Sequence, residues 1–364
     1  MLSMSRKKSM FFRIAFSAIA VTIVSLVSIS GFAQFRLRAR ATGTSVSFQH
    51  DGKEREYRIH VPGNLPDDSE VPLVVCFHGG GGNSRMASMM GLTPVSDREG
   101  FIAVYPNAID KHWNDGRDSP MFAEHDQAID DAAFVMELIE RVCNEHPIDR
   151  DRIFATGISN GGFMTQRLAI EHSETFAAVA VVIATMGEPL SKRFKPESPV
   201  SILYMNGTKD RLVPYDGGPV VKPLMNRFNR VEGHEDAPRG RGISTDDAVA
   251  KWVAHNQTKR DPKIEFVPDI DDEDGSHIES SLWEGGKRGT AVMLHKVVGG
   301  GHGIPGGSQY MPERLIGKSN QDVNGFDLIW DFFQKHAREP AKAGSDATEE
   351  EVAAQPASAN ATFQ

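Results

Sequence analysis

A serine between glycines is the first residue in this sequence whose type and setting could support covalent chemistry. Ser159 lies in GISNG, between the apolar run RIFAT and an amphipathic segment. This pattern predicts a sharp strand-to-helix turn with the serine at its apex. The amino end of the following helix would then stabilise a negative charge that forms beside the hydroxyl. The alternative is a serine that only caps a helix in a glycine-rich loop.

A base and an acid for such a serine are both present downstream. A serine hydroxyl needs a base, and an imidazole base needs a carboxylate that holds its tautomer. Asp210 follows the strand-like run VSILYMNG, and His302 follows VMLHKVV. In isolation these would be a turn former and a surface histidine, but their order and their positions after strands predict a catalytic triad of Ser159, Asp210 and His302. Asp216 is a competing acid, and His295 lies inside a strand pattern, which indicates a structural role.

A run of glycines could supply donors for the oxyanion that forms when a carbonyl is attacked. HGGGG follows the apolar run PLVVCF. Gly79 and Gly80 are therefore candidates for one backbone N–H donor, and Asn160, directly after the serine, for the other. The alternative, a dinucleotide phosphate loop, fails because no third glycine completes the spacing G-x-G-x-x-G.

Two acidic segments have some of the character of metal sites. PDIDDEDG, residues 268 to 275, is as acidic as a calcium loop but has unsuitable residues at the first and last ligand positions, so a solvated loop is the better interpretation. EHDQAIDD, residues 124 to 131, lacks paired histidine spacing. Asp130 and Asp131 are expected to begin a helix and to make a structural contact. We therefore expect no metal and no other cofactor.

The segments that must position these residues alternate between strand and helix patterns. The predicted elements are a hairpin around Asp51-Gly52, strands near 71–77, 101–106, 152–157, 177–184, 200–207 and 292–298, and helices near 130–144, 162–172, from Ser244 onward and 326–336. This alternation predicts an α/β fold with a mostly parallel sheet and helices on both faces. Catalytic residues are then expected at the carboxyl ends of the strands.

Composition favours one large soluble domain. The chain has 364 residues, of which 40% are hydrophobic, and a formal net charge of -9, which argues against a nucleic-acid partner. We expect a linker at 34–43, a catalytic domain at 44–337 and a disordered acidic tail at 338–364. The segment at about 216–243, rich in Gly, Pro, Arg and Glu, is expected to pass over the carboxyl edge of the sheet.

Residues 1–33 have the pattern of a secretory signal. Basic residues precede an apolar run, Ile14 to Ile29, and Gly31-Phe32-Ala33 resembles a cleavage site. We expect a secreted or periplasmic protein that keeps no stable membrane partner after cleavage. The alternative is an uncleaved N-terminal membrane anchor.

The two cysteines lie in different apolar patterns. Cys76 falls in a strand-like run and Cys143 in a helix-like one. Cysteine in such runs usually behaves as a small buried hydrophobe, which favours two free buried thiols over a disulfide.

Together these motifs are similar to a known family, the secreted α/β-hydrolase esterases that include polyhydroxybutyrate depolymerases, feruloyl esterases and acetylxylan esterases. The resemblance covers roughly residues 52 to 336. It is carried, in the family's order, by GKEREYRIHVP, PLVVCFHG, YPNAIDKHWNDGR, IDDAAFV, DRIFATGISNGGFM, MNGTKDRLVPYDGG, GGGH and IWDFFQKH. The resemblance implies the α/β-hydrolase fold and the same nucleophile, acid, base and oxyanion loop as the residue patterns predict.

The resemblance also implies where the substrate cleft could lie. Trp113 matches a family tryptophan that either borders the cleft or belongs to the core. Family members usually have a tryptophan just after the catalytic histidine, whereas this chain has Gly303 and Ile304. Ile304 is thus a candidate cleft residue, and an aromatic wall is expected to be absent. Because the tail cannot form a separate polymer-binding domain, soluble substrates are favoured over solid polyester.

These observations predict an exported serine carboxylesterase that works through an acyl-enzyme. Its substrate would be a hydroxyalkanoate oligomer or an acylated polysaccharide. Two alternatives stay open. One is a serine peptidase of the prolyl-oligopeptidase type, although no propeller-like repeats precede the serine. The other is a non-catalytic carbohydrate-binding protein on a hydrolase fold, against which the intact serine, aspartate and histidine argue.

Overall fold

The computed structural model describes four stretches of the chain, residues 43–66, 69–221, 238–271 and 273–338. The predicted leader, nearly all of the linker and of the tail, and the larger part of the segment 216–243 lie outside these stretches. Among the residues that are described, no helix is long and apolar enough to cross a membrane.

The elements alternate along the chain as the sequence predicts. The strands are β1 (Thr44–His50), β2 (Lys53–His60), β3 (Val71–Phe77), β4 (Ile102–Pro106), β5 (Ile148–Ile158), β6 (Ala178–Val182), β7 (Ser201–Gly207), β8 (Gly218–Pro219), β9 (Arg241–Gly242), β10 (Lys263–Phe266), β11 (His277–Trp283) and β12 (Val292–Val298). The helices are α1 (Ser84–Ser88), α2 (Leu92–Glu99), α3 (Ala123–Ala128), α4 (Asp131–Glu145), α5 (Asn160–Glu171), α6 (Glu188–Lys192), α7 (Thr245–Asn256), α8 (Glu313–Ile316) and α9 (Gly325–Lys335).

Ten of these strands form one sheet in the order β1-β2-β4-β3-β5-β6-β7-β12-β11-β10. The six central strands, from β4 to β12 in this order, are parallel. Antiparallel pairs complete both edges. The mostly parallel sheet is therefore confirmed, with its carboxyl ends along one edge.

The central strands are buried on both faces, which explains their continuous apolar sequences. In β3, Leu73 and Val75 face one apolar layer, while Val74 and Cys76 face the other, since successive side chains of a strand point to opposite faces. Helices α4, α5 and α7 cover the first layer, and α2 and α9 cover the second. This packing holds the strand ends, and the loops that follow them, in fixed positions.

Local signals at turns and helix starts are confirmed. Asp51 and Gly52 both have positive φ, 47° and 70°, and join β1 to β2, as expected for an Asp-Gly hairpin turn. The Ser244 hydroxyl accepts from the backbone N–H of Asp247 at 3.0 Å. Asp130 likewise caps α4, accepting from the N–H of Ala133 at 3.1 Å.

Other features were not predicted or differ from prediction. Strands β10 and β11 extend the sheet beyond β12, and the acidic segment 268–275 lies in the loop between them, apart from residue 272, which is not described. The ends of the segment 216–243 pair as β8 and β9. Cys76 and Cys143 are both free, as predicted, but only Cys76 is buried. Cys143 is half-buried because it lies beside, rather than on, the face of α4 that packs on the sheet.

Candidate active site

Ser159 occupies the strained turn that the sequence predicts between β5 and α5. Its backbone has φ 54° and ψ -121°, a conformation that a residue with a side chain rarely adopts. The backbone N–H donates to the carbonyl of Val182 at 3.0 Å, which ties the turn to the next strand. The side chain makes no capping hydrogen bond to α5. The alternative of a capping serine is therefore wrong, because this hydroxyl makes no hydrogen bond to the helix or to any other residue that the structure describes.

The two glycines of GISNG are required by close backbone contacts. A Cβ at Gly157 would lie 2.3 Å from the carbonyl oxygen of Gly161, and a Cβ at Gly161 would lie 2.5 Å from that of Phe77. Backbone atoms inside a packed sheet cannot move aside for a methyl group. The glycines thus allow α5 to begin directly against β3 and β5, which exposes the serine at the edge.

Asp210 and His302 form a buried pair at the same edge of the sheet. The Nδ1 atom of His302 lies 2.6 Å from Oδ2 of Asp210, and the side chains are only 3% and 2% exposed. The other carboxylate oxygen accepts from the backbone N–H groups of Leu212 at 2.8 Å and Val213 at 2.9 Å. The competitor Asp216 is exposed, so Asp210 is the acid that contacts the histidine.

The sheet order explains how residues far apart in sequence meet. Strands β5, β6, β7 and β12 are neighbours in that order. With about 4.8 Å between strands, β12 ends about 14 Å from β5, so the loop carrying His302 must reach back across the edge. The structure brings Asp210 and His302 into contact and places Ser159 on the same edge. The hydrogen bond between the Ser159 hydroxyl and His302 stays a prediction.

The glycine loop after β3 lies directly against the turn. A Cβ on Gly79 would be 3.6 Å from Cβ of Ser159, and one on Gly80 would be 3.5 Å from Cβ of Asn160. Asn160 begins α5, so its N–H is among the first-turn donors that have no partner within the helix. For the Gly80 N–H, no backbone acceptor is found in the described stretches. Both groups are thus free to donate to a ligand, and their role as oxyanion donors stays a prediction.

His78 orients this loop, a role that the sequence reasoning missed. Its Nε2 accepts from the backbone N–H of Ala108 at 3.1 Å, so Nδ1 carries the proton and donates to the carbonyl of Gly79 at 2.8 Å. Burial lowers the pKa of His78 to about 4, which keeps the ring neutral near pH 7. In a planar trans peptide, holding the Gly79 carbonyl directs the Gly80 N–H to the opposite side. The only sequence signal is the position of His78 directly before the glycines.

Trp113 is a core residue and not a cleft residue. It is fully buried, its indole N–H donates to the carbonyl of His78 at 3.0 Å, and its ring packs edge-on against Phe77. Its backbone holds Asn160. The Trp113 N–H donates to Oδ1 of Asn160 at 2.9 Å, and Nδ2 of Asn160 donates to the Trp113 carbonyl at 3.1 Å. The cleft interpretation is therefore wrong, since the ring lies beneath the glycine loop.

A buried ion pair between Asp115 and Arg117 also holds Asn160 in place, and the sequence did not predict it. Nδ2 of Asn160 donates to Oδ2 of Asp115 at 2.5 Å. Arg117 lies 2.7 Å from the same oxygen, and its guanidinium stacks 4.2 Å from the centre of the Phe163 ring. Because all of these groups are buried, removing one charge would leave the other uncompensated. The motif WNDGR thus serves to fix the residue that follows the serine.

Comparisons with known proteins show which proteins this chain is similar to. The model of the family described as "Esterase PHB depolymerase" matches residues 56–192. The predicted resemblance to these esterases is confirmed. The putative esterase NocK from Nocardia uniformis subsp. tsuyamanensis is 26% identical over 324 residues, covering 86% of this chain and 89% of that protein. Feruloyl esterase D from Neurospora crassa is 26% identical over 251 residues, covering 60% and 80%.

A solved structure shows the same fold. The acetyl xylan esterase from Aspergillus awamori aligns with a TM-score of 0.50 at 15% identity, over 80% of this chain and 100% of that chain. The α/β-hydrolase fold is therefore confirmed. The family match and the relatives named above support an ester hydrolase similar to the feruloyl and polyhydroxybutyrate-type esterases.

The loop after His302 differs from what the resemblance to these esterases implies. Ile304 is only 8% exposed and belongs to the apolar layer under α9, so its assignment to the cleft is wrong. The loop folds back there because Gly325 contacts Ile304 directly. Further along the same loop, Tyr310 is 56% exposed. Burial and then the charge of Asp210 raise the pKa of Tyr310 to about 12, so an aromatic side chain lies within electrostatic range of Asp210.

Two other predicted residues are structural. His295 is buried in β12, where its Nδ1 contacts the hydroxyl of Ser280, and burial lowers the pKa of His295 to about 4. Asp131 makes the predicted structural contact, a buried ion pair with Arg55 at 2.6 Å. Neither residue lies on a loop at the carboxyl edge of the sheet.

Proposed function

We propose that this chain is a serine esterase that hydrolyses carboxylic esters through an acyl-enzyme. The observation that carries the proposal is the strained Ser159, whose hydroxyl is uncommitted, on the same sheet edge as the buried pair of Asp210 and His302. The contact of Gly79 and Gly80 with the turn supports it, because it places backbone donors beside the serine.

The first half of the reaction forms the acyl-enzyme. The Ser159 hydroxyl oxygen attacks the ester carbonyl while Nε2 of His302 takes the hydroxyl proton. Asp210 accepts the Nδ1–H of His302 and stabilises the imidazolium. The tetrahedral intermediate collapses, the bond to the alcohol oxygen breaks, and His302 returns the proton to the leaving alcohol.

The second half releases the acid. Water gives a proton to Nε2 of His302 and attacks the acyl carbonyl, and the bond to Ser159 then breaks as that proton returns to the serine. In both halves the N–H groups of Gly80 and Asn160 hold the oxyanion. Loss of one such donor typically lowers kcat by about 10²- to 10³-fold, which is why the supports from His78 and Asp115 matter.

We further propose a substrate with an apolar or aromatic acid part. The side chains of Met86 and Met89, at the helix that follows HGGGG, are 56% and 63% exposed, and Tyr310 is 56% exposed. These exposed apolar side chains lie on the segments that follow the glycine loop and His302, and exposed apolar surface beside a site favours an apolar ligand group. Relatives named feruloyl esterase support an aromatic acyl ester, linked to a polysaccharide. A hydroxyalkanoate oligomer is the other substrate class proposed.

Export is part of the proposal and rests on the pattern of residues 1–33. The direct measurement is the N-terminal sequence of the mature protein. A start near Gln34 supports export with cleavage, whereas an intact leader in a membrane fraction supports the anchored alternative.

The activity is tested by acid release from methyl ferulate, a 3-hydroxybutyrate oligomer and acetylated xylan, with Ser159→Ala as the control. Covalent labelling by a fluorophosphonate reports the nucleophile independently of substrate choice. Labelling of the unaltered protein but not of the variant supports the serine mechanism, and the preferred ester identifies the substrate class. Peptide cleavage without ester cleavage would support the peptidase alternative. Absence of both labelling and hydrolysis would refute the proposal and favour a carbohydrate-binding protein.

A further inference from the structure

Three side chains of metal-ligand type converge at a second place, outside the catalytic edge. Of the residues described, His112, His125 and Asp126 form the group whose ligand atoms all lie within 4.8 Å of one another. His112 ends the short turn Ile109–Lys111, and the other two lie on α3. Sequence spacing did not indicate this group, because the first histidine belongs to a different segment from EHDQAIDD.

We propose that His112, His125 and Asp126 bind a divalent transition metal ion, and this set of two imidazoles and one carboxylate suits zinc, the ion used in the test. Zinc is commonly held by imidazole nitrogen and carboxylate oxygen, and three protein ligands leave a fourth position for water. The ion would be a resident of the fold and plays no part in the serine chemistry proposed above.

The distances suit tetrahedral coordination. With metal–ligand bonds of about 2.0 to 2.1 Å, tetrahedral ligand atoms lie about 3.3 to 3.4 Å apart. Nε2 of His112 is 3.3 Å from Oδ1 of Asp126, and Nδ1 of His125 is 3.1 Å from the same oxygen. Two of the three distances between ligand atoms are therefore already close to those that a tetrahedral zinc ion requires.

Hydrogen bonding by a neutral His125 does not account for this arrangement. Nε2 of His125 lies 3.2 Å from the carbonyl oxygen of Ile109, which can only accept, so that nitrogen carries the proton. In the neutral ring, the lone pair of Nδ1 then faces the Asp126 carboxylate, and two acceptors oppose each other. A cation between them removes the conflict. The carbonyl contact is also the outer hydrogen bond that a metal-bound histidine typically makes.

His112 supplies the independent observation. The residue is 3% exposed, and its Nε2 is buried without a hydrogen-bond partner among the described residues. Even a doubly protonated His125 would leave this nitrogen unsatisfied, which is costly for a buried polar atom. Phe122 stacks on the His112 ring at 3.6 Å between centroids and holds its orientation. The nitrogen is thus directed at the Asp126 carboxylate at 3.3 Å without a hydrogen bond in the described stretches, and a metal ion shared with that carboxylate would satisfy it.

The site is both accessible and connected to the fold. The side chains of His125 and Asp126 are 10% and 12% exposed, which leaves a route for an ion. Asn114 donates to the backbone carbonyl of Asp126 at 2.7 Å, and its own N–H donates to Asp131 at 2.8 Å. Because Trp113 lies between His112 and Asn114, zinc would stiffen the segment that holds Asn160. We therefore expect zinc to stabilise the protein.

The test is titration of the metal-stripped full chain with zinc chloride by calorimetry. We expect one zinc per chain for the unaltered protein and for Ser159→Ala, which separates this proposal from the proposed function. Asp126→Asn keeps the shape of the side chain but removes the anionic ligand, and should weaken binding by at least about 100-fold. The matched control is His277→Asn, which removes an exposed histidine beside Glu279. This control should bind zinc like the unaltered protein.

Two further readouts guard against misfolding of the variant. Zinc at 100 times its Kd should raise the Tm of the unaltered protein but not of Asp126→Asn, and cobalt(II) should give the visible absorption of a tetrahedral site only where Asp126 is present. If Asp126→Asn loses its native circular dichroism spectrum, the same zinc and cobalt measurements on His125→Asn test the proposal instead. No saturable zinc binding by the unaltered protein, or equal binding by the ligand variants and the control, would overturn the proposal.

Discussion

Replacing Asp210 by asparagine tests the catalytic assignment most sharply, because the environment of this carboxylate dictates what the amide must do. One carboxylate oxygen accepts from two backbone N–H groups, and the other contacts Nδ1 of His302 at 2.6 Å. In Asp210→Asn the amide oxygen must stay with the two backbone donors. The opposite orientation would set the NH₂ group against them in a buried site, at a cost of about 1 to 3 kcal/mol per unsatisfied group.

The amide NH₂ then faces Nδ1 of His302 and forces the wrong tautomer. With Nδ1 as acceptor, Nε2 carries the proton and cannot take one from Ser159. The corresponding exchange in a protease triad lowers kcat about 10⁴-fold, which is about 5.4 kcal/mol at 1.36 kcal/mol per factor of ten. We expect a loss of this size in kcat, with little change in KM, since Asp210 is buried behind the histidine.

The assay is steady-state hydrolysis of whichever ester the unaltered protein cleaves, with thermal unfolding to show that the variant is folded. Asp216→Asn is the matched control, because Asp216 lies on the same loop but is exposed, and it should retain full activity. A folded Asp210→Asn protein that keeps more than about a tenth of the activity would refute the reasoning. So would a large loss in the Asp216 variant alone.

Three other perturbations have definite expected outcomes. Gly161→Ala should abolish soluble folded protein, because its Cβ would lie 2.5 Å from the carbonyl of Phe77, whereas Gly63→Ala, with no atom within 4 Å, should behave normally in an expression and melting assay. In the folded protein the pKa of His295 is about 4, below the ordinary value of 6.5. As the pH drops, the unfolded chain therefore takes up a proton at this residue before the folded protein does. The free energy of unfolding then falls between about pH 6.5 and pH 4. His295→Asn should therefore lessen the pH dependence of urea unfolding in that range by up to about 1.4 kcal/mol per pH unit, and an unchanged slope would contradict the assignment. Tyr310→Ala should raise KM for methyl ferulate by roughly threefold to tenfold but not for methyl 3-hydroxybutyrate, and equal effects on both esters would argue against an aromatic contact.

Much of the fold was predictable because its signals are local. A strand buried on both faces is largely apolar, as β3 and β6 are throughout and β7 is apart from Ser201 and Asn206. The strands β10 and β11 were not predicted because they form the antiparallel edge of the sheet. There, β10 has exposed side chains and no continuous apolar run. Edge strands are recognised by their pairing partner, which lies elsewhere in the sequence.

The same distinction applies to the candidate site. Ser159, Asp210 and His302 each follow a buried strand, so their placement at one edge could be inferred from local patterns and from the geometry of parallel sheets. Local patterns could not show whether Trp113 and Ile304 face a cleft or the core, since an apolar side chain suits either environment. The structure buries both.

The sequence by itself determined which residues would stand at the carboxyl edge and that Ser159 would lie in a sharp turn, since strand pattern, glycine spacing and chain order are properties of short segments. Only the tertiary structure decided how those residues are held: Ala108 on His78 before the glycine loop, Trp113 and Asp115 on Asn160, and His302 on Asp210. The physical reason is that hydrogen bonds across the fold depend on distances between segments remote in sequence. The convergence of His112 with His125 and Asp126 has the same origin.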